Sequence, residues 1–257
     1  MQGRWLLSAM ALFSLGLFVK GQDIVPASGK NFPSIGRLSA GYLIIPQGPN
    51  SPGQCVPYLP QPGDIVLYDN RNKFHHFVYK IAHTKAPIHA SIVINREDGT
   101  PALLELTGPL CITAKVVIME VQPRLASYPG PIMVRRLREP LTPEQSHEMT
   151  SFAQAQVGKR FALGRILLQA TPFNAHAGVL RSLCGHTYLN RNRWFFSEMV
   201  VAAGTKANVF DPKVHFANAT YPRDLAFDET MDISSHYHPP LEWVADRPAT
   251  FASAALP

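Results

Sequence analysis

Hydrophobic positions along this chain recur at two spacings. From Ala90 to Asn95 and from Ala102 to Thr107 they alternate with other residues, and each run predicts a β-strand. Arg96-Glu97-Asp98-Gly99-Thr100 joins the two runs, with Asp98-Gly99 as the turn signal, so the segment is expected to be a hairpin. A shorter strand, Ile65-Val66-Leu67-Tyr68, is expected after the turn at Pro62-Gly63-Asp64. Lys115–Val121 and Ile132–Leu137 predict further strands, bridged by Pro123–Tyr128. Elsewhere the spacing is three and four residues. Phe74, Phe77, Val78 and Ile81 predict one face of a helix between Lys73 and Thr84. Thr142-Pro143-Glu144-Gln145 has the signature of a helix start, with Thr as N-cap and Gln completing a capping box; that helix should reach Val157, with Gly158 ending it. A helical segment is expected near Leu163–Gln169, and a buried helix over Phe195–Ala203, stopped at Gly204.

These elements divide the chain. Residues 22–61 are rich in Pro, Gly and Ser without a sustained period, and are expected as an extension laid over a domain. The domain itself is expected over 62–230. After it, the Pro- and His-containing residues 231–257 form a tail expected to wrap the surface. No internal repeat is visible.

The first 21 residues are of another kind. Arg4 precedes an apolar run from Trp5 to Val19, too short for the roughly 20 residues that span a bilayer, and Val19-Lys20-Gly21 offers a cleavage step. A cleaved secretory signal, and an extracytoplasmic protein, are expected; any membrane association would come through this segment if it were left uncleaved. Net charge is +6, and falls to +4 without Arg4 and Lys20. That balance is too mild for a nucleic-acid binder, and no Lys/Arg run carries interleaved aromatics.

Three cysteines, Cys55, Cys111 and Cys184, are too few for a disulfide scaffold, and spacing does not choose a pair among them. Among the ten histidines, His75-His76, His83 and His236-x-His238 form loose clusters. No His-Glu-x-x-His run and no cysteine pair at zinc-ligand spacing accompanies them, so neither a metal nor a cofactor is expected.

The hairpin carries the chemistry. Ala90, Ile92, Ile94, Ala102, Leu104 and Leu106 form one apolar face; His89, Ser91, Val93, Asn95, Leu103, Glu105 and Thr107 form a mixed one. If Ser91 lies opposite Glu105, His89 is diagonal to that carboxylate, about 7–8 Å away between backbones and within reach of both side chains. A one-residue slip would separate them. A carboxylate so placed orients an imidazole and supports its charged form, which a general base in acyl transfer requires. Much later, Ser197 stands where it could cap the helix that begins Phe195-Phe196-Ser197-Glu198.

Five segments together resemble the permuted papain-like amidases of the NlpC-type peptidase superfamily, the YaeF/YiiX-like group. They are Pro62-Gly63-Asp64-Ile65-Val66-Leu67, His89-Ala90-Ser91-Ile92-Val93-Ile94, Leu104-Glu105-Leu106, Phe195-Phe196-Ser197-Glu198-Met199-Val200 and Tyr221-Pro222-Arg223-Asp224-Leu225, in the family's order from Pro62 to Leu225. The resemblance implies an α+β fold, a circularly permuted papain-like domain with an antiparallel sheet packed against helices. It implies His89 as base, Glu105 as the group that orients it, and a nucleophilic Cys just before the Ser-Glu pair, where a helix N-terminus favours thiolate.

This chain has Phe196 at that position. A phenyl ring has no lone pair to attack a carbonyl, so the family's mechanism cannot run through it. Phe161 likewise stands where related amidases often have Tyr. Two readings follow. In one, the protein is a degenerate amidase that keeps its cleft and serves as a binding or structural module. In the other, Ser197 or Cys184 is recruited as nucleophile, with His89 as base, to hydrolyse an amide or ester in a cell-wall peptide or an acyl-lipid conjugate. Ser197 lies about 100° around the helix from position 196, and its hydroxyl is expected to point away from the cleft.

Overall fold

A computed structural model describes residues 39–47, 53–69, 84–108, 113–162, 186–187 and 189–246. The hairpin lies at the middle of its sheet. Strand β4 (His89–Asn95) runs antiparallel to β5 (Pro101–Thr107), with Ile92 opposite Leu104 and Ile94 opposite Ala102. Asp98 closes the turn by accepting from the Thr100 amide at 2.9 Å and its hydroxyl at 2.6 Å. Gly99 supplies the positive φ of 78° that the reversal needs.

Strand β3 (Ile65–Tyr68) pairs with β4, and β6 (Lys115–Glu120) pairs with β5, both antiparallel. Beyond β3 come β7 (Ile132–Arg135), β10 (Leu241–Val244), β1 (Tyr42–Ile45) and β2 (Gln54–Pro57); beyond β6 come β8 (Arg160–Phe161) and β9 (Arg193–Trp194). Among the described residues, only the β8–β9 pair is parallel. The class is therefore α+β, a large and mostly antiparallel sheet with few helices.

Both faces of the central strands are buried. Ile65, Leu67, Ala90, Ile92, Ile94, Ala102 and Leu104 belong to one core, covered by helices α2 (Pro143–Gln156) and α3 (Phe196–Lys206). Their alternates Val66, Tyr68, Val93 and Leu103 belong to a second core, with Leu43, Trp243 and helix α1 (Val121–Ser127). The mixed face of the hairpin is thus an interior face, and its polar members, His89, Ser91 and Glu105, must find partners within the protein.

Several sequence expectations are corrected here. Part of the 22–61 extension and part of the tail are strands of the sheet: β10 pairs with β1 and β7, with Leu43 opposite Trp243 and Trp243 opposite Ile132. Alternation in Tyr42–Ile45 and Leu241–Val244 is too short to stand out against the surrounding Pro and Gly. Pro123–Tyr128 does bridge the two strands, but as part of helix α1, which follows β6 directly, takes Val121 out of the expected strand and turns Val121 and Leu125 inward. Gly204 does not stop α3, which runs to Lys206. Glycine is present because the Phe210 ring presses against it, and a Cβ there would collide with that ring. The capping box at Thr142 is formed as expected: Gln145 N donates to Thr142 Oγ1 at 3.2 Å and Thr142 N to Gln145 Oε1 at 2.9 Å. The signal segment, most of the Lys73–Thr84 helix with His75, His76 and His83, the Leu163–Gln169 helix, Cys111 and Cys184 lie outside the described residues.

Two buried polar knots tie distant parts of the chain together. Asp64 accepts from the Tyr58 hydroxyl at 3.2 Å and from the Gln61 and Leu137 amides at 3.1 and 3.2 Å, tying the N-terminal strands to β3 and to the chain after β7. Arg135, 1% exposed, grips Asp228 with both terminal nitrogens at 2.9 and 2.7 Å and donates to the carbonyls of Leu225 and His238. Among the described residues, no helix is long and apolar enough to cross a membrane.

Candidate functional site

The hairpin register decides the site. With Ile92 opposite Leu104, continuing the ladder puts Ser91 opposite Glu105 and leaves His89 on the diagonal. The two side chains meet: His89 Nε2 lies 2.8 Å from Glu105 Oε1. Glu105 is fully buried, and the His89 side chain is 13% exposed. As the first residue of β4, His89 stands at the end of the sheet, where its ring touches groups from both layers. Tyr68, its neighbour on β3, lies 5.1 Å away between ring centroids.

From the other layer comes Phe196, the first residue of α3. Its ring meets the imidazole edge to face, with centroids 4.2 Å apart and planes at 79°, and packs against Phe161 at 5.2 Å. The helix tip is fixed from behind. Glu198 Oε2 accepts from the Phe195 amide at 3.2 Å, and Glu198 Oε1 pairs with Arg191 Nε at 2.9 Å.

A third charged residue completes the site. Arg124 on α1 donates from Nη2 to Glu105 Oε1 at 2.6 Å and from Nε to Oε2 at 2.9 Å. Its guanidinium also lies over the rings of Tyr68 and Tyr128, 5.3 and 5.1 Å from their centroids. Burial alone would push the Glu105 carboxyl up. The hydrogen bond from His89, the imidazole's charge when it carries one, and the Arg124 fork together bring it down to about 2. Burial and the nearby Glu105 charge push the Tyr68 phenol well up, so it stays protonated and shares a 2.8 Å hydrogen bond with Ser91 Oγ.

Glu105 and Asp64 make opposite contributions to stability as pH changes. The native pKa of Glu105, about 2, lies below its ordinary 4.5; its contribution is complete above that ordinary value and is lost as pH falls towards 2. Burial pushes Asp64 up from 3.8 to about 6 despite Arg136 and three hydrogen bonds. Its contribution is therefore complete below the ordinary value and is lost as pH rises through 6. Asp64→Asn carries no charge at any pH. Relative to the parent, it should gain on the order of 3 kcal/mol between about pH 4 and 7, read from urea midpoints at both ends. A difference that does not change with pH would refute the raised carboxyl.

The remaining sequence candidates fare differently. Ser197 is buried, and its hydroxyl donates to the carbonyl of Thr220, away from His89. It does not cap α3 as expected, because it is the second helical residue and Glu198 serves the end of the helix. Cys184 lies outside the described residues. His238 Nδ1 is 3.4 Å from Arg138, and His236 meets His215 edge to face with centroids 6.2 Å apart. Among the described residues, no three His, Cys, Asp or Glu side chains converge on a point that could hold a metal. Sequence reasoning missed Arg124 and Tyr68. Tyr68 was legible, since it alternates with Val66 on a strand beside His89. Arg124 left no comparable signal, because the helix that carries it was not recognised.

Chemically, the arrangement offers an imidazole oriented by a buried carboxylate and, opposite it, a hydrocarbon ring at a helix N-terminus. It can accept or donate a hydrogen bond, but position 196 supplies nothing that could attack a carbonyl.

Neither a family model nor a curated protein matches the chain. Among solved structures, it is similar to a metalloprotein, yiiX of Escherichia coli O157:H7, described as DUF1105, at 20% identity and a TM-score of 0.39. The match covers 58% of this chain and 67% of that one.

Proposed function

We propose that this chain is an exported, permuted papain-like amidase-fold protein that has lost nucleophilic catalysis and acts as a binding or structural module. Its proposed ligand class is a cell-wall peptide or an acyl-lipid conjugate. The observation that carries this reading is the Phe196 ring at the tip of α3, 4.2 Å from an imidazole that a buried carboxylate holds. The order of the five sequence segments supports the fold assignment, and the basic-then-apolar opening from Arg4 to Val19 supports export. Ser197, bound to the Thr220 carbonyl, offers no substitute nucleophile.

The test is active-site labelling of the purified protein with a serine-directed fluorophosphonate and a thiol-directed acyloxymethyl ketone, each compared with His89→Ala. The expected result is that any labelling is indifferent to that substitution. Adducts on Ser197 or Cys184 that disappear in His89→Ala would identify a working hydrolase and overturn the proposal.

A further inference from the structure

We propose that Arg124 is a positioning residue of this site: it locks the Glu105 carboxylate so that His89 is held as the Nε2–H tautomer, with Nδ1 left as the acceptor. The inference relies on the reading above only in treating His89 as the base position.

The argument begins with the backbone. Helix α1 starts where β6 ends, and its buried Val121 and Leu125 seat it on the face that carries Glu105. Arg124, one residue before Leu125, therefore projects over that carboxylate. Its fork takes both oxygens: Nε donates to Oε2 at 2.9 Å and more weakly to Oε1 at 3.1 Å, and Nη2 donates to Oε1 at 2.6 Å. Two near-parallel bonds to a planar carboxylate prevent it from rotating about its last bond, which a single ammonium donor would not do.

The guanidinium is itself held, lying over Tyr68 and Tyr128. Burial would disfavour its charge, but Glu105 more than reverses that and pushes its pKa upward. Tyr68 is fixed in turn by its hydrogen bond with Ser91 on β4.

The consequence falls on His89. Oε1, already shared with Arg124, faces Nε2 at 2.8 Å, and an ionised carboxylate can only accept. Neutral imidazole must therefore carry its proton on Nε2. Among the described residues, the groups around the ring are Glu105 from β5, Tyr68 from β3 and Phe196 from α3, with Arg124 behind Glu105. Among these, the carboxylate is the one hydrogen-bonded to the imidazole, while the Tyr68 hydroxyl is engaged with Ser91.

The test is imidazole nitrogen NMR on the whole protein at about pH 8.5, above the ordinary histidine range, with His89 assigned by the signals lost in His89→Ala. The wild type should show Nε2 protonated and Nδ1 bare. Arg124→Lys keeps the charge without the fork and should lower the ratio of Nε2–H to Nδ1–H roughly tenfold. Arg124→Met with Glu105→Gln removes both charges together and should lower it at least as far, which keeps the test available if the lysine variant fails to fold. A wild-type His89 protonated on Nδ1, or an unchanged ratio in a folded variant, would overturn the assignment. No part of this readout depends on position 196, so it can fail while the labelling result stands, and the reverse.

Discussion

Phe196→Cys is expected to yield a thiol whose alkylation by iodoacetamide levels off near pH 6 instead of following an ordinary cysteine near pH 8.5. The ring it replaces sits on the first residue of α3, within the positive end of the helix and 4.2 Å from the imidazole centroid. A sulfur on the same Cβ would stand about where the ring begins, still facing His89. At about pH 5.5 a pKa of 6 rather than 8.5 raises the thiolate fraction roughly 200-fold, and the weaker nucleophilicity of the more acidic thiol cancels roughly tenfold of that. About a 20-fold faster reaction than that of a free thiol at that pH remains, read site by site by mass spectrometry so that Cys55, Cys111 and Cys184 do not interfere. Adding His89→Ala should abolish most of the gain. A profile centred near pH 8.5, indifferent to His89, would mean that the helix tip and the imidazole do not form a site together.

The parts of this architecture that were legible in the sequence are those where a local rule and a long run coincide. Seven-residue strands with one apolar and one mixed face, an Asp-Gly turn between them and a Thr-Pro-Glu-Gln helix start leave little choice of register or boundary. The meeting of His89 and Glu105 follows from that register alone. What escaped were elements decided by distant partners. Four-residue strands β1 and β10 exist because each borrows the other's edge. α1 was missed because its seven residues begin immediately after a strand and include Pro123. Gly204 behaves as a helix interior because of Phe210, six residues on, whose packing no periodicity reveals. Arg124 combines two of these failures: an unrecognised helix, and a carboxylate 19 residues away.

The charge cluster yields the second large effect, on stability. Glu105→Leu would leave the Arg124 guanidinium between two tyrosine rings without the carboxylate it is bonded to. Arg124→Met would leave a fully buried carboxylate with His89 as its partner among the described residues. Each single change should cost about 3–5 kcal/mol in urea unfolding at pH 7, because a buried ion without its partner keeps its desolvation penalty and loses the attraction that offset it. Making both changes together should cost far less than the sum, leaving the double variant within about 1–2 kcal/mol of the parent. Costs that simply add would mean that the two groups do not interact, contrary to three hydrogen bonds between them at 2.6 to 3.1 Å. A double variant near parental stability would also locate the value of the pair. An apolar substitute that folds equally well but leaves His89 without its carboxylate shows that the buried charges contribute orientation at the sheet end, where the imidazole faces the helix tip, more than they contribute to holding the fold.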